Sequence, residues 1–131
     1  MNPSPFELIG GREPAVALAR AFYALMAADE PALLAVHQRD ASGQVSSAVQ
    51  SRFELFLVEW LGGPAEYSPQ YGHPRLRMRH AHVPIDTALA EAWVRTMSRA
   101  MDQLGIAGEV REFLEERFAE VAGFLRNAPP G

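Results

Sequence analysis

Tyr71-Gly72-His73-Pro74-Arg75-Leu76-Arg77-Met78-Arg79-His80-Ala81-His82-Val83-Pro84-Ile85 is the stretch that decides how this chain reads. It holds three of the four histidines of a 131-residue sequence, together with Arg75, Arg77 and Arg79, and it is punctuated by Pro74 and Pro84. Pro74 to Ala81 has the length of a short helix. Val83-Pro84-Ile85 reads as extended, because a residue before proline is pushed out of the α region. Such a density of imidazoles and guanidinium groups in an otherwise apolar chain points to a segment that holds a ligand.

Helical periodicity stands on both sides of it. Upstream, Val45, Val49, Phe53, Phe56, Leu57 and Trp60 keep helical spacing, which predicts a helix over 44–61 ended by Gly62-Gly63-Pro64. Residues 65–72 are too rich in turn formers for a long element. Earlier, Val16, Ala19, Phe22, Tyr23 and Met26 share one face of a helix opened at Glu13-Pro14 and broken at Asp29-Glu30-Pro31. Phe6–Ile9 makes one turn stopped by Gly10-Gly11, Pro31 starts a short helix through Val36, and 37–43 read as a loop. Downstream, Asp86 suits an N-cap, Leu89, Trp93, Met97, Ala100, Met101 and Leu104 form a long stripe, and Gly105 stops it. A last helix begins near Ala107 or Gly108 and carries Val110, Phe113, Leu114, Phe118, Val121 and Leu125. Residues 1–5 and 127–131 read as flexible tails. Nothing alternates with period two over a useful length, so the expected fold is all-α, a single domain over 1–131.

Composition narrows the function classes. Apolar residues make up 48% of the chain, enough for a core. No run is long enough for a membrane span, and the N-terminus lacks the pattern of a signal peptide, so a soluble cytoplasmic protein is expected. With no cysteine, disulfides, thiolate chemistry and covalent Cys-x-x-Cys-His haem attachment are excluded. A net charge of −4 argues against nucleic acid as the main partner.

His73, His80 and His82 make a poor zinc set. His80 and His82 face different sides of any helix, and no carboxylate lies between Gly72 and Ile85. A haem iron needs a single proximal imidazole, and His80 sits where a short helix meets an extended exit. Arg79, Arg77 and Arg75 are suited to anionic propionates. Taken alone, this local composition better describes a solvated basic helix with an incidental histidine.

GGPAEYSPQYGHPRLRMRHAHVPI, residues 62–85, resembles the signature of the truncated haemoglobins, specifically their group II branch. The similarity continues through GG at 10–11, AFYALMAADEP at 21–31 and AWVRTM at 92–97, and spans Phe6 to Asn127. The resemblance implies a shortened globin fold in which two helix pairs sandwich a non-covalent haem b. On that resemblance the proximal iron ligand falls on His80, the distal tyrosine on Tyr23 and the distal tryptophan on Trp93. The third distal position, usually tyrosine or phenylalanine, falls on His37, which can donate, accept, titrate or bind the iron. Val49 or Gln50 falls over the iron, with Phe53, Phe56 and Met78 packing on the porphyrin. Arg79 and Arg77, with Tyr67 and Tyr71, are the candidate propionate contacts. Leu89-Ala90-Glu91 departs from the acidic-basic pair usual before the tryptophan.

The function so implied is binding of O₂ and other diatomic ligands. A donor-rich pocket slows oxygen release, which suits retention, sensing or redox chemistry better than bulk transport. A haem-dependent enzyme acting on peroxide, nitric oxide or nitrite is the alternative, and would draw on an external electron donor. A haem-free helical interaction module is the third reading. The oligomeric state, a homodimer included, stays open.

Overall fold

The computed structural model describes residues 3–72, 80 and 83–127. Seven helices appear among them: α1 (Pro5–Ile9), α2 (Arg12–Asp29), α3 (Pro31–Ala35), α4 (Ser47–Trp60), α5 (Ser68–Tyr71), α6 (Thr87–Gln103) and α7 (Gly108–Leu125). The short helix predicted over Pro74–Ala81 lies outside the described residues. The only β pairing among the described residues is an isolated bridge between Arg39 and Val45.

α2 is the hub. Ala15, Leu18, Ala19, Phe22 and Met26 are almost wholly buried, at the i, i+3, i+4, i+7 spacing that makes one helical face. That face packs against both α4 and α6, and α6 in turn packs against α7. The result is the 2-over-2 sandwich, with α2 and α4 as one pair and α6 and α7 as the other. Phe22, Leu57, Met97 and Leu114 bring the four long helices into one core, each fully buried apolar side chain contributing about 1.5–3 kcal/mol.

Helix ends follow local chemistry. The Ser46 hydroxyl accepts from the Val49 N–H at 3.3 Å, which starts α4 at Ser47 rather than at the predicted residue 44. Gln44 is drawn instead into a turn organised by the Asp40 carboxylate, which accepts from the Ser42 and Gln44 N–H groups at 2.9 and 3.2 Å. Asp86 caps α6 as predicted, its carboxylate 2.8 Å from the Leu89 nitrogen. On α7 the buried residues are Leu114, Phe118 and Ala122, whereas Phe113, placed on the predicted stripe, is 48% exposed.

Both chain ends are tied to other segments among the described residues. Ser4 and Pro5, expected in a flexible arm, start α1: the Ser4 hydroxyl accepts from the Glu7 N–H at 3.2 Å, and the Phe6 N–H donates to the Leu61 carbonyl at 2.9 Å. This docking explains the glycine pair after α4. A Cβ on Gly62 would stand 2.7 Å from the Ser4 Cβ, and one on Gly63 2.7 Å from the Phe6 ring. Asn127, expected in the C-terminal tail, is hydrogen-bonded to the segment around Val83 and Ile85.

Candidate functional site

Four elements meet at one cavity of about 210 Å³. His80, Val83 and Ile85 come from the connection into α6, and Leu89, Ala90 and Trp93 from the first turns of α6. Leu33, Val36, His37 and Gln38 come from α3 and its exit, and Ala122 and Leu125 from the end of α7. The volume falls below the roughly 300–1,000 Å³ usual for ligand pockets. The donor set distinguishes this cavity: two imidazoles and an indole among aliphatic walls.

His37 is placed by the end of α3. The Val36 and His37 N–H groups bond back to the carbonyls of Leu33 and Leu34, and the ring turns onto the same helix end, with Nδ1 2.8 Å from the Leu33 carbonyl oxygen. A carbonyl only accepts, so Nδ1 carries the proton and donates. Burial, the main cause, lowers the His37 pKa; the Leu33 carbonyl opposes the shift, and His80 adds to it. His37 is therefore neutral near pH 7, and its Nε2 presents a lone pair.

α3 is held against the helix that carries Trp93. The Glu30 carboxylate at its N-terminal edge takes both Nε and an Nη of Arg95, at 2.8 and 2.9 Å. Trp93 packs edge-on to Phe22 at 5.3 Å and to Phe118 at 5.6 Å between ring centroids, so α2 and α7 both orient the indole.

Tyr23 stands one ring behind the cavity. It is 6% exposed and meets His37 edge-on at 5.9 Å and Phe53 at 5.3 Å. Burial holds its phenol well above the usual tyrosine range, with no hydrogen-bond partner contributing to the shift. The hydroxyl thus stays protonated and can donate.

The other candidate positions divide. Phe53 stacks on Phe56, which meets Tyr67 at 5.5 Å, and Tyr67 meets Tyr71 at 5.0 Å. Val49 and Phe53 pack against the core from α4. The Gln50 amide is already used, donating to the Val45 carbonyl at 2.9 Å. Tyr67 is buried and Arg52 lies over the Tyr71 ring; neither tyrosine is among the described residues that line the cavity. The Ser68 N–H and hydroxyl bond the Glu59 carboxylate, which fastens this aromatic segment to α4. Met78, Arg75, Arg77, Arg79, His73 and His82 lie outside the described residues. Among the described residues no three His, Cys, Asp or Glu side chains cluster as a metal cage.

A family model described as bacterial-like globin matches residues 4–127. A group 2 truncated haemoglobin of Bacillus subtilis is 37% identical over 124 residues, covering 95% of this chain and 89% of that protein. The chain belongs to the group II truncated haemoglobins. Among solved structures, the group II truncated haemoglobin of Bacillus anthracis is similar with a TM-score of 0.89 at 35% identity, covering 100% of this chain and 96% of that one. The truncated oxygen-avid haemoglobin of Bacillus subtilis gives a TM-score of 0.84 at 36% identity, over 95% of this chain and 100% of that one. As a globin, this truncated haemoglobin is a haem-binding, oxygen-binding protein, which sets aside the haem-free module. No helix among its described residues is long and apolar enough to cross a membrane.

Several cavity residues escaped the sequence reading. Val83, Ile85, Ala90 and Ala122 are small or β-branched residues whose role as walls depends on α6 and α7 converging there. Asn127 bears no local signal at all, since its partners are 42 to 47 residues away in sequence.

Proposed function

We propose that this truncated haemoglobin holds haem b non-covalently through the His80 imidazole, with Tyr23, His37 and Trp93 shaping the opposite, ligand-binding side. One observation carries the reading: a single cavity joins His80 to His37 and Trp93, which come from other elements, through aliphatic walls. That donor set suits a large apolar macrocycle with a central cation, needing one imidazole, dry walls and a few polar groups facing it. When bound, the haem supplies an iron that takes O₂ and other diatomic ligands. The absence of cysteine rules out thioether attachment through cysteine. Arg79 and Arg77 are assigned to its carboxylates on charge.

The polar side chains act by donating to the guest. Tyr23 keeps its proton, so its phenol donates, and the Trp93 indole can only donate. Neutral His37, its Nδ1 proton given to Leu33, offers an acceptor instead. Two donors facing a polarised guest slow its escape, which favours retention over delivery. Replacement of His80 by glycine tests the anchor. The ferrous protein should lose its iron–histidine vibration and its haem retention, and free imidazole should restore the band; a band that persists in His80→Gly overturns the assignment.

The lone pair on His37 Nε2 favours a second reading, peroxide or nitrogen-oxide chemistry. There His37 accepts a proton from the substrate while Tyr23 polarises it, and electrons come from a separate donor. Peroxide turnover with a reducing substrate should fall in His37→Ala; a wild-type rate no better than that of free haem removes this reading.

A further inference from the structure

The segment that presents His80 is fastened by one residue from the far end of the chain. Asn127 follows α7 and touches the connection into α6 four times. Its Nδ2 donates to the carbonyls of His80, at 3.2 Å, and Val83, at 3.0 Å. Its Oδ1 accepts from the Ile85 N–H at 2.7 Å, and its own N–H donates to the Ile85 carbonyl at 2.9 Å. The partners fix the amide orientation, because a backbone N–H must face Oδ1 and carbonyls must face Nδ2. Both Nδ2 protons are used, and three backbone positions are braced by one side chain. The His80 carbonyl also receives the Val83 N–H at 3.0 Å, so two donors converge on it.

This is a demanding arrangement. Aspartate keeps the size but turns two donated bonds into contacts between carboxylate and carbonyl oxygens. Leucine keeps the bulk and loses all the polar contacts of the side chain. The clasp also joins two parts of one site. α7 lends Ala122 and Leu125 to the cavity wall, and Asn127, two residues beyond it, bonds the His80 carbonyl.

We infer that Asn127 is a positioning residue for His80: its amide fixes the backbone from which the imidazole reaches the haem, as an outer hydrogen-bonding shell fixes a metal ligand. The inference rests on the assignment of His80 as the iron ligand, and the experiment separates the two.

The holoprotein is compared with Asn127→Asp, Asn127→Leu, Arg126→Gln and His80→Gly. Three quantities are read: the iron–histidine band of the ferrous protein by resonance Raman, the rate of haem transfer to an acceptor apoglobin, and the melting temperature. Both Asn127 variants should shift or broaden the band and speed haem loss about 10- to 100-fold, the range seen when outer-shell partners are removed. Arg126→Gln removes a neighbouring contact to Thr87 and should change neither. A lowered melting temperature with an unshifted band and wild-type haem loss makes Asn127 a structural staple and overturns the inference. If His80→Gly keeps the band, the iron-ligand assignment fails and takes the inference with it. If His80→Gly abolishes the band while the Asn127 variants leave it unchanged, only the positioning role fails. Should Asn127→Leu not fold, Asn127→Asp, equal in size and shape, still decides between these outcomes.

Discussion

The two sides of the cavity are built by different physics. On the helix-borne side, Trp93 lines the cavity and Tyr23 stands one ring behind it, both on long helices whose apolar faces interlock. Phe22 alone meets Tyr23, Phe53 and Trp93 at 5.2, 5.5 and 5.3 Å between ring centroids. On the loop-borne side, the His80 and Val83 carbonyls and the Ile85 N–H are braced by hydrogen bonds from Asn127. Close packing gives a side chain little freedom and is disturbed by a change of volume or shape. A hydrogen-bonded brace is specific in direction and fails when one polar atom changes. Changes on the helix-borne side should therefore cost stability, whereas a change at Asn127 should disturb the segment of His80 with the fold intact.

The strongest way to break this contrast is Phe22→Ala. A fully buried ring at the centre of the core should cost about 3–5 kcal/mol in urea unfolding, as large-to-small core changes do. A cost under about 1 kcal/mol would mean that packing does not hold the helix-borne side. Tyr23→Phe sharpens the contrast, since it keeps the ring and removes one donor. Loss of a hydrogen bond to a charged or strongly polarised partner is worth about 1.5–3 kcal/mol, so O₂ release should quicken about 10- to 100-fold with stability little changed. Stopped-flow release at the wild-type rate would remove Tyr23 from the donors, leaving it a core residue.

The smallest effect concerns a polar tie within the helix-borne side. The Glu115 carboxylate on α7 accepts from Ser98 of α6 at 2.7 Å and pairs with Arg111, and these bonds lower its pKa, Ser98 first. A lowered carboxylate stabilises the fold above its ordinary value of 4.5, and that contribution is lost as pH falls through the folded value. Glu115→Gln should therefore flatten the acid limb of the stability profile. Because the side chain is 43% exposed, water screens the pair and the effect should stay within about 1 kcal/mol. A larger loss at neutral pH would show that polar ties matter on the helix-borne side too.

Much of the fold could be read from local signals. The apolar spacing of α2, α4 and α6, the Asp86 cap and the breaks at Gly62-Gly63 and Gly105 express chemistry that each segment carries within itself. Phe113 misled because periodicity alone cannot tell which edge of an apolar stripe meets a neighbour, and α7 turns Leu114 and Phe118 inward instead. The start of α4 was missed because Gln44 could continue the helix, and the Asp40 turn competes for its backbone.

Sequence by itself determined the residue types: three histidines in a basic stretch, a tyrosine and a tryptophan on separate apolar faces, no cysteine, and a family motif. Tertiary structure alone decided which of them share a space and in what protonation state. It brought His80 and His37 to one cavity, turned the His37 Nδ1–H onto the Leu33 carbonyl, and buried the Tyr23 phenol, which raises its pKa further above the neutral range. It also drew Asn127 out of an expected tail to bond the His80 carbonyl. The physical reason is the same in each case: periodicity and capping act within a few residues, whereas desolvation and hydrogen-bond pairing depend on what the folded chain brings alongside.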